Sequence, residues 1–565
     1  MQRPMDAVEV ELLWKRLVTA VDEAATALVR TAFSSVIRDF HDYACAIFDT
    51  KGRLLAQSTH STPGLLGILP YTIPNFLRHP GFLAARPGDV FITNDPWIAS
   101  GHLIDITVAM PVFRGEAVAA YVLTVVHHLN VGGRVASLES RDVYEEGLKI
   151  PILRLCRDGR EEEAVVAFIH ANVREPDKVI GDVRAQVAAS HAAAARLLEA
   201  MELAQLSSLL SLGDEITGRS EASMRQAIRA LPDGVFPARM VLENVAGYPH
   251  PLTLALQATV AGDGIRLDYS GTSGQIPRAV NVTLNMTRSY SVYPLKCLLD
   301  PEVPNNTGCM RPIAIDAPEG SLLNATFPAP TWGRTIVAHM LPELVMQALA
   351  GSIPQRLVAG SGSTPLLYGN FMGRHADGQS FYAVVTFNGG LGARGTRDGI
   401  SCVSYPANVA SIPVEVIEHE APLRFAQKSF TTDSAGAGRQ RGGLGQRIEI
   451  RIPEDAALDG PIVAGIRGGR FGVPVYPLEG GRGAGHPTVS VNGHEVRFGS
   501  PFELRAGDVV VLMVPGGGGF GDPRDRPVEA VLADVRNEVV SAAAAKAIYG
   551  IDIHARPARR AGRAD

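Results

Sequence analysis

Two apolar runs joined only by Arg114-Gly115-Glu116 constrain this chain more than any other feature. From Ile92 to Gly133 it reads ITNDPWIASGHLIDITVAMPVFRGEAVAAYVLTVVHHLNVGG. Residues 104–113 and 117–128 have the apolar, β-branched content of strands, and so short a joint makes them an antiparallel hairpin. Register then decides which polar groups meet. If all three joining residues form the turn, Asp105 faces Val125, His127 faces Leu103, and odd-numbered residues of both strands share one face. Asp105 and His127 become diagonal neighbours and His128 points away, whereas a two-residue turn would select His128. His102 follows Gly101, where a kinked backbone can turn its ring towards the same point.

Taken singly, His102 reads as a turn cap, Asp105 as a backbone acceptor and His127 as a satisfied core histidine. Taken jointly they read as ligands, because an unpaired buried carboxylate costs several kcal/mol and needs a cation or a strong donor. Imidazole and carboxylate groups converging from neighbouring strands suit a borderline divalent ion such as zinc or manganese. For a fourth ligand the residues leave four choices open: Asp42 before the strand-like YACAIF, Asp95 of NDPW, and Glu145 or Glu146 of VYEEGLKIP. NDPW also has the form of an Asn-Asp-Pro turn.

The remaining pattern predicts an α+β, multi-domain protein with mixed antiparallel sheets, a central helical segment and a glycine-rich, β-rich C-terminal part. An amphipathic helix opens the chain over 6–31, followed by the hairpin DYACAIFD–RLLAQ and the strand GDVFIT. We divide it into an N-terminal α+β metal-site domain (1–172), a helical segment (173–232) and an α+β middle domain (233–380). A β-rich, glycine-rich domain (381–525) and a closing helix with a disordered tail (526–565) complete it.

Several function classes are excluded. A net charge of −5 argues against an electrostatic grip on nucleic acid. Ala117–Val126 is about half of the ~20 residues that a membrane-spanning helix requires, so no membrane role is expected. The acids in MQRPMDAVEVELLW do not suit a secretory leader, and a cytoplasmic location is expected. Cys45, Cys156, Cys297, Cys309 and Cys402 are scattered without a C-x-x-C pair, which predicts small buried hydrophobes in a reducing compartment. PGGGGFGD matches G-x-G-x-x-G, but Pro523 interrupts any helix start and too little chain follows for a dinucleotide fold. It reads as an irregular loop with close backbone approach. GDEITGRS lacks the phosphate-loop lysine and its strand, while AGAGRQRGGLGQR reads as a solvated loop. Without a nucleotide site, any ATP chemistry belongs to another subunit.

At this point the chain resembles the hydantoinase B/oxoprolinase family nearly end to end. The resemblance rests on DYACAIFDTKGRLLAQ, PGDVFITNDPW…GHLIDITVAMPVF, YEEGLKIP, NVREPDKVIGDVRAQ, DYSGTSGQ, LLDPEVPNNTGCMRPI, APEGSLLNATFPAP, GRQRGGLG and PGGGGFGDP. It implies one divalent ion, zinc or manganese, held by Asp42, His102, Asp105 and His127. It further implies a hetero-oligomer with an A-type subunit that spends ATP and Mg to phosphorylate a small cyclic amide, which this chain then hydrolyses. Glu146 is the expected general base, or the residue that orients a ligand histidine. The same resemblance covers components of ATP-dependent ketone carboxylases, the alternative activity; a non-catalytic scaffold for the ATPase is the third. Where family members often carry tryptophan and aspartate, this chain has His128 and Asn130.

Overall fold

The computed structural model describes residues 5–134 and 137–553; the tail expected to be disordered lies outside them. Asp6 starts the first helix, Ala7–Thr31, by accepting from the N–H groups of Val8 and Glu9 while Glu9 reaches back to its own N–H. The stripe Val10, Trp14, Leu17, Val21, Ala24 and Leu28 is buried, as helical spacing requires. It packs against the alanine-rich helix Pro176–Leu203. Most of the expected central helical segment thus shares a core with the first sheet.

That sheet has seven antiparallel strands, in the order Leu54–Gln57, Tyr43–Phe48, Ala117–His127, Asp105–Arg114, Val90–Thr93, Leu153–Arg157, Arg160–Glu161. Alternation sets its two faces: Tyr43, Cys45 and Ile47 join the core under the two long helices, while Ala44, Ala46 and Phe48 join the opposite core. On that second side lie the helices Pro63–Phe76 and Leu284–Leu299.

The central hairpin corrects one expectation. Arg114 pairs with Ala117, so the turn has two residues, Gly115 and Glu116, rather than three. This would have brought His128 to the ligand face, but a bulge intervenes. Phe113 faces Val118 and Val112 faces Ala120, leaving Ala119 as one extra residue. Beyond the bulge, Asp105 lies directly opposite His127.

Three further sheets follow. One orders Ile313–Asp316, Gly264–Asp268, Leu252–Ala261 and Gly234–Leu242; helix Met340–Leu349 packs on its last two strands. The next orders Ser380–Phe387, Leu367–Arg374, Ile462–Arg467 and Phe502–Leu504. The last orders Arg424–Phe430, Gln446–Arg451, Val509–Val514, Thr488–Val491 and His494–Glu495. The expected solvated loop around Ala435–Leu444 is instead largely buried, because PGGGGFGD runs through it and bonds to it: Gly436 donates to Gly517 and Gly517 to Gly443. A Cβ at Gly390 would lie 2.0 Å from the Gly443 carbonyl oxygen, so bare backbones must touch here. The closing helix is two helices, Val528–Arg536 and Ala542–Ala547, broken at Glu538 (φ 59°) and restarted by the cap Ser541. Cys45, Cys156 and Cys309 are buried as expected, but Cys297 is exposed. Among the described residues no helix is long and apolar enough to cross a membrane.

Candidate metal centre

His102, Asp105 and His127 meet with their ligand atoms within 4.8 Å of one another, all buried. Asp105 stands between the rings: its Oδ1 lies 2.7 Å from His127 Nδ1 and its Oδ2 2.7 Å from His102 Nε2. Gly101 (φ 80°) lets the chain turn into this corner, where a Cβ would lie 2.9 Å from Thr283 Oγ1. Asp42 enters from the neighbouring strand, past His41 in the left-handed region (φ 61°). The His127 N–H donates to the Asp42 carbonyl oxygen at 3.0 Å, and Asp42 Oδ2 is 3.9 Å from His127 Nδ1. Asp42 therefore lines the same cavity at the edge of the three-residue cluster.

The chemistry of this donor set fits a divalent ion. His102 Nδ1 lies 3.1 Å from the Trp332 carbonyl oxygen, which only accepts, so Nδ1 carries the proton and Nε2 the lone pair. Burial, reinforced by the Arg334 guanidinium, lowers the His102 pKa to about 3, so the ring stays neutral. Nε2 is buried without a hydrogen bond, yet sits 2.7 Å from a carboxylate oxygen. Two lone-pair atoms this close repel unless a cation draws both. Although burial opposes its charge, the Arg334 guanidinium and the bond with His127 hold the Asp105 carboxyl well below the usual range. Burial raises Asp42 above its usual value, partly offset by His127.

Other expected residues are placed elsewhere. Glu146 is buried but does not line the cavity: its Oε1 accepts from the Trp332 N–H at 2.8 Å and its Oε2 from the Thr331 N–H at 2.9 Å. It thereby anchors the backbone of Trp332, the residue whose carbonyl faces His102. Burial pushes its pKa up to about 8, against the pull of those bonds. Asp95 accepts from the Trp97 N–H in its turn and pairs with Lys149 at 3.0 Å, and Glu145 pairs with Arg141 at 2.8 Å. His128 faces the long helix through Gln186, at 3.1 Å, and Asn130 bonds the backbone of Arg174, so neither shapes the cavity.

Sequence reasoning missed the rest of the lining. Arg334 donates from Nε to the Ser100 carbonyl and from its terminal nitrogen to Asp105 Oδ2, both at 2.7 Å. Tyr290, His339, Tyr368 and Arg467 also line the cavity, contributed by the middle helices and the third sheet. A charged residue within an apolar run, as in TWGRTIVAHML and VAGIRGG, was the available signal for both arginines. The cavity is partly open, with a volume of about 30 Å³.

A family model described as hydantoinase B/oxoprolinase matches residues 6–523. The chain belongs to this family. A relative from Pseudomonas sp. (strain NS671), provisionally named as the B component of a D-/L-hydantoinase, is 30% identical over 98% of this chain and 96% of that protein. The beta chain of the Pseudomonas jessenii caprolactamase is 28% identical over 97% of this chain and 96% of its own length. The 5-oxoprolinase 1 of Arabidopsis thaliana is 25% identical over 91% of this chain but only 42% of that protein. The crystal structure of the ATP-dependent caprolactamase from Pseudomonas jessenii superposes with a TM-score of 0.87 at 27% identity, covering 98% of both chains. An acetone carboxylase structure shares the fold, with a TM-score of 0.83 at 17% identity over 97% of this chain and 80% of the other.

Proposed function

We propose that this chain is the metal-dependent B-type component of an ATP-dependent cyclic amidase. It hydrolyses a cyclic amide that an A-type partner has first phosphorylated. The observation that carries the reading is the unbonded His102 Nε2 held 2.7 Å from Asp105 Oδ2 inside a buried cluster. Relatives of 27–30% identity named for hydantoinase and caprolactamase activities support the hydrolytic choice, whereas the 17% likeness to acetone carboxylase extends to the fold alone.

His102, Asp105, His127 and Asp42 would hold one zinc or manganese ion. Bound there, such an ion supplies Lewis acidity and favours ionisation of water. Arg334 fixes Asp105 and keeps it charged; the Trp332 carbonyl fixes the His102 tautomer; Glu146 holds that carbonyl in place. Glu146 thus orients a ligand and does not act as the base, since both its oxygens are engaged away from the cavity. In the overall reaction two waters are consumed: one adds at the activated ring carbon and the C–N bond breaks, leaving a ring-opened amine with an acyl phosphate, and the second hydrolyses that acyl phosphate to a carboxylate and inorganic phosphate.

The test is His102→Ala. Metal analysis should show loss of the ion, and turnover of hydantoins, 5-oxoproline or lactams with the ATPase partner should fall by at least about 100-fold. Full turnover in a metal-free variant would leave only a scaffold role. Consumption of ketones with bicarbonate, and not of cyclic amides, would assign the carboxylase chemistry instead.

A further inference from the structure

Arg467 is a buried cation that lacks an anion. It is 3% exposed and sits opposite Tyr368 in the strand register. Its guanidinium lies 4.3 Å from the Trp332 ring centroid and 4.5 Å from that of Tyr368. One long hydrogen bond, 3.4 Å to the Trp332 carbonyl, is its only side-chain hydrogen bond among the described residues; its Nε is buried with no partner and no carboxylate pairs with it. The other buried arginines of this region are matched: Arg334 by Asp105 and Arg470 by Glu343, each at 2.7–2.8 Å. Aromatic faces offset part of the cost of a buried guanidinium, but they leave its in-plane N–H groups unused.

Tyr290 adds a second free donor. The Leu366 N–H donates to His339 Nδ1 at 3.3 Å, so the ring proton sits on Nε2 and is donated to Tyr290 Oη at 2.9 Å. With its oxygen already accepting, the Tyr290 hydroxyl proton is left for whatever enters the cavity that Tyr290, Tyr368 and Arg467 line.

The lining of the cavity therefore combines acceptors and lone pairs with unsatisfied donors. We infer that Arg467 and Tyr290 form a subsite for an oxyanion of the substrate, in the cavity that the ligand cluster also lines. The inference rests on reading this cavity as the reaction centre. Two groups share the required chemistry: the phosphoryl installed by the partner, and a carboxylate carried by the substrate or formed as the ring opens. A planar guanidinium with free N–H groups binds either.

Isothermal titration of the purified full-length protein with inorganic phosphate, and separately with acetate, tests this. Wild type should bind at least one of them. Arg467→Met should weaken that binding at least tenfold and Tyr290→Phe several-fold, with metal content unchanged; Arg467→Lys should recover part of it. Preference for phosphate assigns the phosphoryl group, and preference for acetate the carboxylate. Two results overturn the inference: no binding of either probe to wild type, or equal affinities in wild type, Arg467→Met and Tyr290→Phe. The second result would leave Arg467 a purely structural cation. Circular dichroism identifies a variant that has not folded, and Tyr290→Phe, which keeps the ring, then decides. Metal-loaded protein that ignores both anions sinks this subsite alone; metal-free protein with full turnover sinks the functional reading.

Discussion

The centre depends on residues that touch no reacting atom, and Glu146 is the sharpest case. Its folded pKa of about 8 exceeds the ordinary 4.5, so the folded state binds the extra proton between those values. Its contribution to stability is therefore full below about pH 4.5, falls as pH rises to about 8, and is constant beyond. Glu146→Gln removes this slope and turns one amide N–H group towards a backbone N–H, costing about 1–3 kcal/mol. Urea unfolding at pH 5, 7 and 9 should show the difference between wild type and variant shrinking across that window. An unchanged difference would mean that the carboxylate is already ionised at pH 5. The two histidines and Asp105 were legible as a joint pattern because they share one hairpin. Asp42 was singled out only by resemblance, since spacing did not separate it from Asp95, Glu145 and Glu146. Arg334 and Arg467 left only the signal of a charge within an apolar run, and nothing local tied them to the site, because they reach it from far along the chain.

Strand geometry shows where local pattern runs out. The alternation of apolar residues announced the hairpin, yet the turn has two residues and a bulge at Ala119 restores the parity that a three-residue turn would have given. No side-chain signal marks that bulge. Ala119 is buried in the core beneath the long helices, and tertiary packing selects it. Deleting Ala119 should therefore remove the bulge without moving the register beyond it, so that Val112 still faces Ala120 and Asp105 still faces His127. Metal affinity and far-UV circular dichroism should both stay near wild type. A loss of affinity of about tenfold or more would show that the bulge itself, and not the pairing beyond it, positions the ligand face. The expectation of a single closing helix failed for a comparable reason: the Ser541 hydroxyl accepts from the Ala544 N–H and starts a new helix, where propensity alone saw continuity.

At the scale of the whole molecule, the cavity beside the cluster lies where the first sheet, the middle helices and the third sheet converge. Arg470 ties two of these together. It is 1% exposed, pairs with Glu343 of helix Met340–Leu349 at 2.8 Å, and donates to the carbonyls of Val473 and Pro474 at 2.9 Å. Glu343→Gln leaves that guanidinium buried with half its partner, and a loss of about 3–5 kcal/mol is expected in chemical denaturation. Bound metal should persist at saturating concentration, because no ligand is touched. The layer arrangement followed from blocks of strand and helix pattern. The glycine-rich meander did not, because bare backbones packed together leave no periodic side-chain trace.

The order in which the chain is made gives the split lining a temporal meaning. A growing polypeptide holds both histidines and both aspartates of the cluster long before Arg334 and Arg467 have been synthesised. Until then the part of the lining that these arginines supply is missing. On the proposed metal role, loading with an ion can precede completion of the cavity, whose remaining lining, from Tyr290 to Arg467, is added later in synthesis.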